Sequence, residues 1–239
     1  MKRMISLLAL LAGTATAAPL TLNLSLLDGD KPFFYHNALT LPGGQSVNVQ
    51  DVRLYVSNVA LIKADGTGVP VPGLTLAKLE KGTPPQNVEI FKGEAPEGEY
   101  RGVRFDVGLP REVNHRDATT ARSPLSIEDG MYWAWNSGYI FFSVRGKTSV
   151  NGAEKDVVFH VGGDNHRLTV NLADLQKPGT ALKVTPSGAS VPVTLNLAGL
   201  FVRGVNGEAW DLIQPKYQQV HMGAVSDQLA FNAQSVFGK

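Results

Sequence analysis

Apolar residues return at every second position in one short segment after another. Leu20, Leu22, Leu24 and Leu26 alternate with Thr21, Asn23 and Ser25, and Val103, Phe105 and Val107 alternate with Arg104 and Asp106. Leu168, Val170 and Leu172 repeat the pattern, as do Val193, Leu195 and Leu197. A period of two places one set of side chains on one face of a strand. Asp28-Gly29-Asp30, Asp65-Gly66-Thr67-Gly68, Gly108-Leu109-Pro110 and Gly162-Gly163-Asp164-Asn165 separate such runs as turns. Val47 to Ile62 predicts a longer strand with Val52, Leu54, Val56, Ala60 and Ile62 on one face, and Tyr139 to Val144 and Val157 to Val161 predict two more. Helical spacing occurs only near the end, at Val225, Leu229, Ala233 and Val236. The expected fold is all-β, an antiparallel β-sandwich with a short C-terminal helix. Residues 110–130 lack periodicity and predict a long polar loop, a place where function concentrates.

The first residues predict a different fate. Lys2 and Arg3 precede the apolar run Met4 to Leu11, and Ala15-Thr16-Ala17 is a small-residue cleavage site. This is the pattern of a secretory signal peptide, too short for a membrane span. The expected organisation is a signal peptide at 1–17 and a single β-rich domain at 18–239, exported to the periplasm or outside the cell. The absence of cysteine removes disulfides, thiolate nucleophiles and lipid anchoring at the cleavage site. A formal net charge of +1 gives no electrostatic ground for nucleic acid. No G-x-S-x-G, H-E-x-x-H, phosphate loop or G-x-G-x-x-G is present, and Asp28 and Asp30 read as a turn rather than a calcium loop. A non-catalytic protein is expected.

Two segments carry unusual chemistry. Met131-Tyr132-Trp133-Ala134-Trp135-Asn136-Ser137-Gly138-Tyr139 holds two of the three tryptophans, and an extended backbone would put Met131, Trp133 and Trp135 on one face. Val157-Val158-Phe159-His160-Val161-Gly162-Gly163 sets His160 opposite Phe159 and Val161. The bland readings are an aromatic core stripe and a structural histidine. His36 follows Phe33-Phe34-Tyr35, His115 lies in the polar loop, and His166 follows a turn; the last two are expected at the surface. His221 is followed by Met222, one of only two methionines beyond the leader, and imidazole with thioether suits Cu(I).

Taken in order, these segments resemble the periplasmic copper-binding proteins of the MbnP-like family. The resemblance runs through Val52-Arg53-Leu54-Tyr55-Val56-Ser57-Asn58-Val59 with Asp65-Gly66, then Tyr100-Arg101-Gly102-Val103-Arg104-Phe105-Asp106-Val107-Gly108. It continues through Met131 to Tyr139, the most specific element, then Phe159-His160-Val161-Gly162-Gly163 and His221-Met222 with the final helix. It implies an exported protein that acquires, delivers or sequesters copper as Cu(I) or Cu(II), with one tryptophan oxidised to kynurenine. It also implies an oxidising partner similar to dihaem cytochrome c peroxidases, besides a copper-delivery partner. A role with methanobactin does not carry over to this chain. The expected ligands are His160 and His221 with His36 third; Trp133 or Trp135 is the modified ring, and Met131 or Met222 a thioether donor. The absence of dense Met or His tracts points to one ion or very few. Three competitors stand beside this reading. A β-sandwich module could bind a carbohydrate or protein ligand on an exposed Trp133/Trp135 pair; a hydrolase or oxidase could be built from His160, Asp164 and His166; or the chain could be purely structural.

Overall fold

The structure, a computed structural model, describes residues 16–41, 43–136, 138–175 and 180–238. The expected signal peptide lies outside these except for Thr16 and Ala17, and Ala17 opens the first strand. No helix among the described residues is long and apolar enough to cross a membrane.

The alternating segments form the strands of two facing sheets. The first sheet is built on β1 (Ala17–Asp28). The second is built on β2 (Ser46–Ile62), with β3 (Thr75–Glu80) along its first half. β4 (Val88–Pro96) returns to pair antiparallel with β1, and β5 (Gly102–Val107) pairs with the second half of β2. The short β6 (Tyr132–Trp133) leads into β7 (Gly138–Val150) and β8 (Ala153–Gly162). β9 (Leu168–Asn171) covers β5, β10 (Ala189–Asn196) lies on β1, and β11 (Gln219–Val220) lies on β8. A short helix α1 (Arg111–Asn114) starts the polar loop, and α2 (Ala224–Ala233) packs beside β8. Leu20, Leu22, Leu24 and Leu26 of one sheet meet Leu54, Phe105, Phe142 and Phe159 of the other in one buried cluster, so the all-β sandwich with its C-terminal helix is the observed architecture.

Two details depart from simple alternation. Two pairings are parallel, β1 with β10 and β8 with β11, so the sandwich is mixed at these points. In β2 the register shifts between Ser57 and Ala60, with Asn58 at φ 50°. An extra residue in a strand reverses the faces beyond it. Val52, Leu54 and Val56 therefore share the main core with Val59 and Leu61, whereas Ala60 and Ile62 pack with Ala173 on the other side. The expected single face from Val52 to Ile62 is corrected accordingly. Polar bonds hold the irregularity: Ser57 Oγ donates to Gly108 O at 2.7 Å, and Asn58 Nδ2 donates to Asp106 Oδ2 at 2.8 Å.

Candidate metal centre

His160 stands on β8 opposite Ser143 of β7, turned away from the core that Phe159 and Val161 enter. The parallel ladder matches Val158 with Gln219 and Phe159 with Val220. The next step of that register brings His221 beside His160. Their Nδ1 atoms lie 3.0 Å apart and their ring centroids 4.9 Å apart. The start of α2 closes over the strand, where Ser226 Oγ donates to His160 O at 3.0 Å.

Two facing imidazole nitrogens at this distance hold one proton between them, since two N–H groups would collide. Burial pushes the His160 pKa down to about 3, helped by His221 and by the Arg145 guanidinium. His160 is thus a free base at neutral pH, the form that binds metal. Two nitrogens each about 2.0–2.1 Å from a shared ion sit about 3.3–3.4 Å apart in tetrahedral geometry. The observed 3.0 Å pair reaches that spacing by a small separation of the rings, once the shared proton moves to an outer Nε2. No group of three or more His, Cys, Asp or Glu suited to a metal occurs among the described residues. Two imidazoles without a carboxylate fit a soft or borderline ion rather than a hard cation.

The aromatic segment borders the pair. Trp133 is 6.3 Å from His160 and 5.6 Å from Trp135, which is 6.5 Å from His221, all between ring centroids. The two tryptophans do not share an environment. Extended structure stops at Trp133, a turn follows, and Trp135 is 60% exposed while Trp133 is 5% exposed. This corrects the single extended face expected for Met131, Trp133 and Trp135. Trp133 lies over Gly162, where a Cβ would come within 2.7 Å of its Cη2. Its Nε1 is buried without a hydrogen-bond partner.

Other expected ligands sit elsewhere. His36 is exposed and stacks on Phe34, in a groove with Lys81 and Pro84 just beyond β3. From β3 to β8 the sheet crosses β2 and β7, three strand spacings or about 14 Å. The structure does not bring His36 to the pair. Met131 is buried with Tyr55, Leu109 and Tyr139 in a second apolar cluster. Met222 is 54% exposed next to His221 in the chain, free to offer its thioether.

The competing constellation of His160, Asp164 and His166 does not assemble. His166 is bonded through Nδ1 to Gly162 O and through Nε2 to Asp227 Oδ1, both at 2.9 Å. Asp164 turns instead to His115, with Nε2 to Oδ2 at 2.9 Å, and to Asn114 Nδ2 at 2.8 Å. These bonds hold the Asp164 carboxyl below its usual range. His115, expected to be merely solvated, is half exposed yet tied into this network. The exposed aromatic platform of a carbohydrate module is also missing, because Trp133 is buried and Trp135 has His221 beside it.

The MbnP family model matches residues 17–222. The chain belongs to the MbnP family. A solved structure, MbnP from Methylosinus trichosporium, superposes with a TM-score of 0.57 over 88% of this chain and 82% of that one. Its sequence identity is 22%, so this likeness bears on the fold. No curated protein matches the chain. MbnP is a copper-associated family, and the carboxylate-free imidazole pair of His160 and His221 is compatible with that association.

Proposed function

We propose that this MbnP-family chain is an exported, non-catalytic copper carrier that holds one Cu(I) at His160 and His221. The observation that carries the reading is the 3.0 Å approach of two Nδ1 atoms from residues 61 positions apart, in a setting that keeps His160 unprotonated. Met222 supplies a further soft donor from the exposed side. The leader-like residues 1–17 support export, and in this reading copper arrives from or passes to a delivery partner in the envelope.

Trp133 is the ring converted to kynurenine in this reading. It is the buried member of the pair, it neighbours His160, and its unpartnered N–H is a group whose burial costs about 1–3 kcal/mol. Conversion replaces that N–H with an aniline nitrogen and a ketone, which add lone pairs to the ring beside His160. The chain has no haem-attachment motif, so the oxidation falls to a partner similar to dihaem cytochrome c peroxidases.

The test is anaerobic Cu(I) titration of envelope-purified protein, with mass mapping of the peptide carrying both tryptophans. His160→Ala and His221→Ala are each expected to lower Cu(I) affinity at least 10²-fold, while Trp135→Phe keeps the kynurenine mass and Trp133→Phe loses it. Unchanged Cu(I) affinity in both histidine variants would sink the site. A mass shift confined to Trp135 would reassign the modified ring.

A further inference from the structure

Trp133 has a second neighbourhood besides His160. Its indole walls a cleft of about 140 Å³ shared with Asn114, His115, Asn136 and Asp164. That space is ample for several waters. Within it Asp164 Oδ2 takes a hydrogen bond from His115 Nε2 at 2.9 Å, and Arg111 Nε lies 3.6 Å from the same oxygen. A carboxylate only accepts, so in the neutral imidazole Nε2 carries the hydrogen and Nδ1 keeps a lone pair. A carboxylate behind an imidazole fixes its tautomer and its orientation. The dyad is anchored at the tryptophan. Asn114 is 3% exposed, donates to Asp164 Oδ1 at 2.8 Å and accepts from the Tyr139 amide at 2.9 Å, next to the Trp133–Gly138 backbone pair.

We infer that His115, oriented by Asp164, is a general base that hydrolyses a formyl group from oxidised Trp133. The inference rests on the reading that Trp133 becomes kynurenine. Opening the indole adds two oxygen atoms, one from each of two hydrogen peroxide molecules that the peroxidase-like partner reduces to water, and leaves an N-formyl aniline; that step is not assigned to this chain. The step assigned here consumes one water and moves no electrons. A cleft water passes a proton to His115 Nδ1 as its oxygen bonds to the formyl carbon. The C–N bond then breaks, His115 returns the proton to the aniline nitrogen, and formic acid leaves and ionises in solvent. His115 is half exposed, which opens the cleft to water entry and formate exit. The chain acts once, on itself, so the carrier is not thereby an enzyme toward a separate substrate.

The test recovers the full chain, its His115→Ala variant and its Asp164→Asn variant from the host envelope over time, and maps the Trp133 peptide by mass. The parent is expected to carry kynurenine. His115→Ala is expected to accumulate a form heavier than tryptophan by two oxygen atoms and to convert it on the order of 10²-fold more slowly. Added imidazole restores the conversion in that variant, which a merely structural role for His115 does not explain. Asp164→Asn accumulates the same formyl species, with an unfolding midpoint lowered only slightly by loss of its half-exposed ion pairs. Kynurenine formed in His115→Ala at the parent's rate overturns the inference and leaves the modification reading standing. Unmodified Trp133 in the parent overturns the modification reading first, and this inference with it.

Discussion

The two halves of the candidate centre are built by different means. His160 and His221 are set by a backbone ladder: one step past the Phe159–Val220 pair, the side chains arrive 3.0 Å apart. Trp133 and Trp135 are set by a chain reversal, in which a two-residue strand ends and the next ring falls outside. The ladder brings two like side chains into contact, with one proton between them. The reversal gives two identical side chains different surroundings, one packed over Gly162 and one mostly in water. A metal pair benefits from matched donors, whereas a site modified by an external protein benefits from one ring inside and one at the surface.

Gly162 joins the halves, because it belongs to the histidine strand and lies beneath Trp133. A Cβ there would stand 2.7 Å from Trp133 Cη2 and 2.7 Å from Tyr139 O, and the second contact is backbone that cannot rotate away. Gly162→Ala is therefore expected to destabilise by about 1–3 kcal/mol through overpacking. Denaturant unfolding reads that loss, and Cu(I) titration reads the accompanying displacement of the rings. Full stability with full Cu(I) affinity would mean that the two halves are not coupled through this residue.

Acid separates the halves in another way. The unfolded chain binds a proton at His160 near pH 6.5, whereas the folded chain resists until about pH 3. Between those values the unfolded state holds the extra proton, so stability falls as pH falls, by up to about 1.4 kcal/mol per unit for this one group. His160→Asn removes that contribution. The stability difference between parent and variant should then shift against the parent from pH 7 to pH 4.5 in urea titrations. Parallel pH profiles for the two proteins would show that His160 titrates normally in the fold.

The reach of the sequence follows the same division. Local alternation is enough to place Phe159 and Val161 inward and His160 outward, because a strand needs only its own period to do so. It does not announce His221, since a two-residue strand laid parallel on β8 is a contact across 61 positions with no local signature. The same alternation carried past Trp133 fails for Trp135, because it assumes extended backbone where the chain turns. It fails again in β2, where Asn58 adopts a positive φ and reverses the faces beyond it. The Asn114–Asp164–His115 network has no signal in the sequence either; it exists only because the polar loop and the turn after β8 meet beside Gly138.

His36 offers the finest comparison, since it is a histidine in aromatic company like His160 but without a ladder to pair it. It stacks on Phe34 with ring centroids 5.6 Å apart and faces Lys81 and Pro84, across three strand spacings from the centre. Its aromatic neighbours make it the third candidate ligand in the sequence, behind His221 with its adjacent Met222; the topology sets it apart. His36→Ala should therefore leave Cu(I) affinity within about twofold of the parent, and an exposed substitution of this kind shifts stability by no more than about 0.5 kcal/mol. A large loss of Cu(I) affinity without loss of stability would mean that the groove beyond β3 and the histidine pair act on one ion, which this arrangement of strands forbids within a single molecule and would require a second copy of the chain to supply His36.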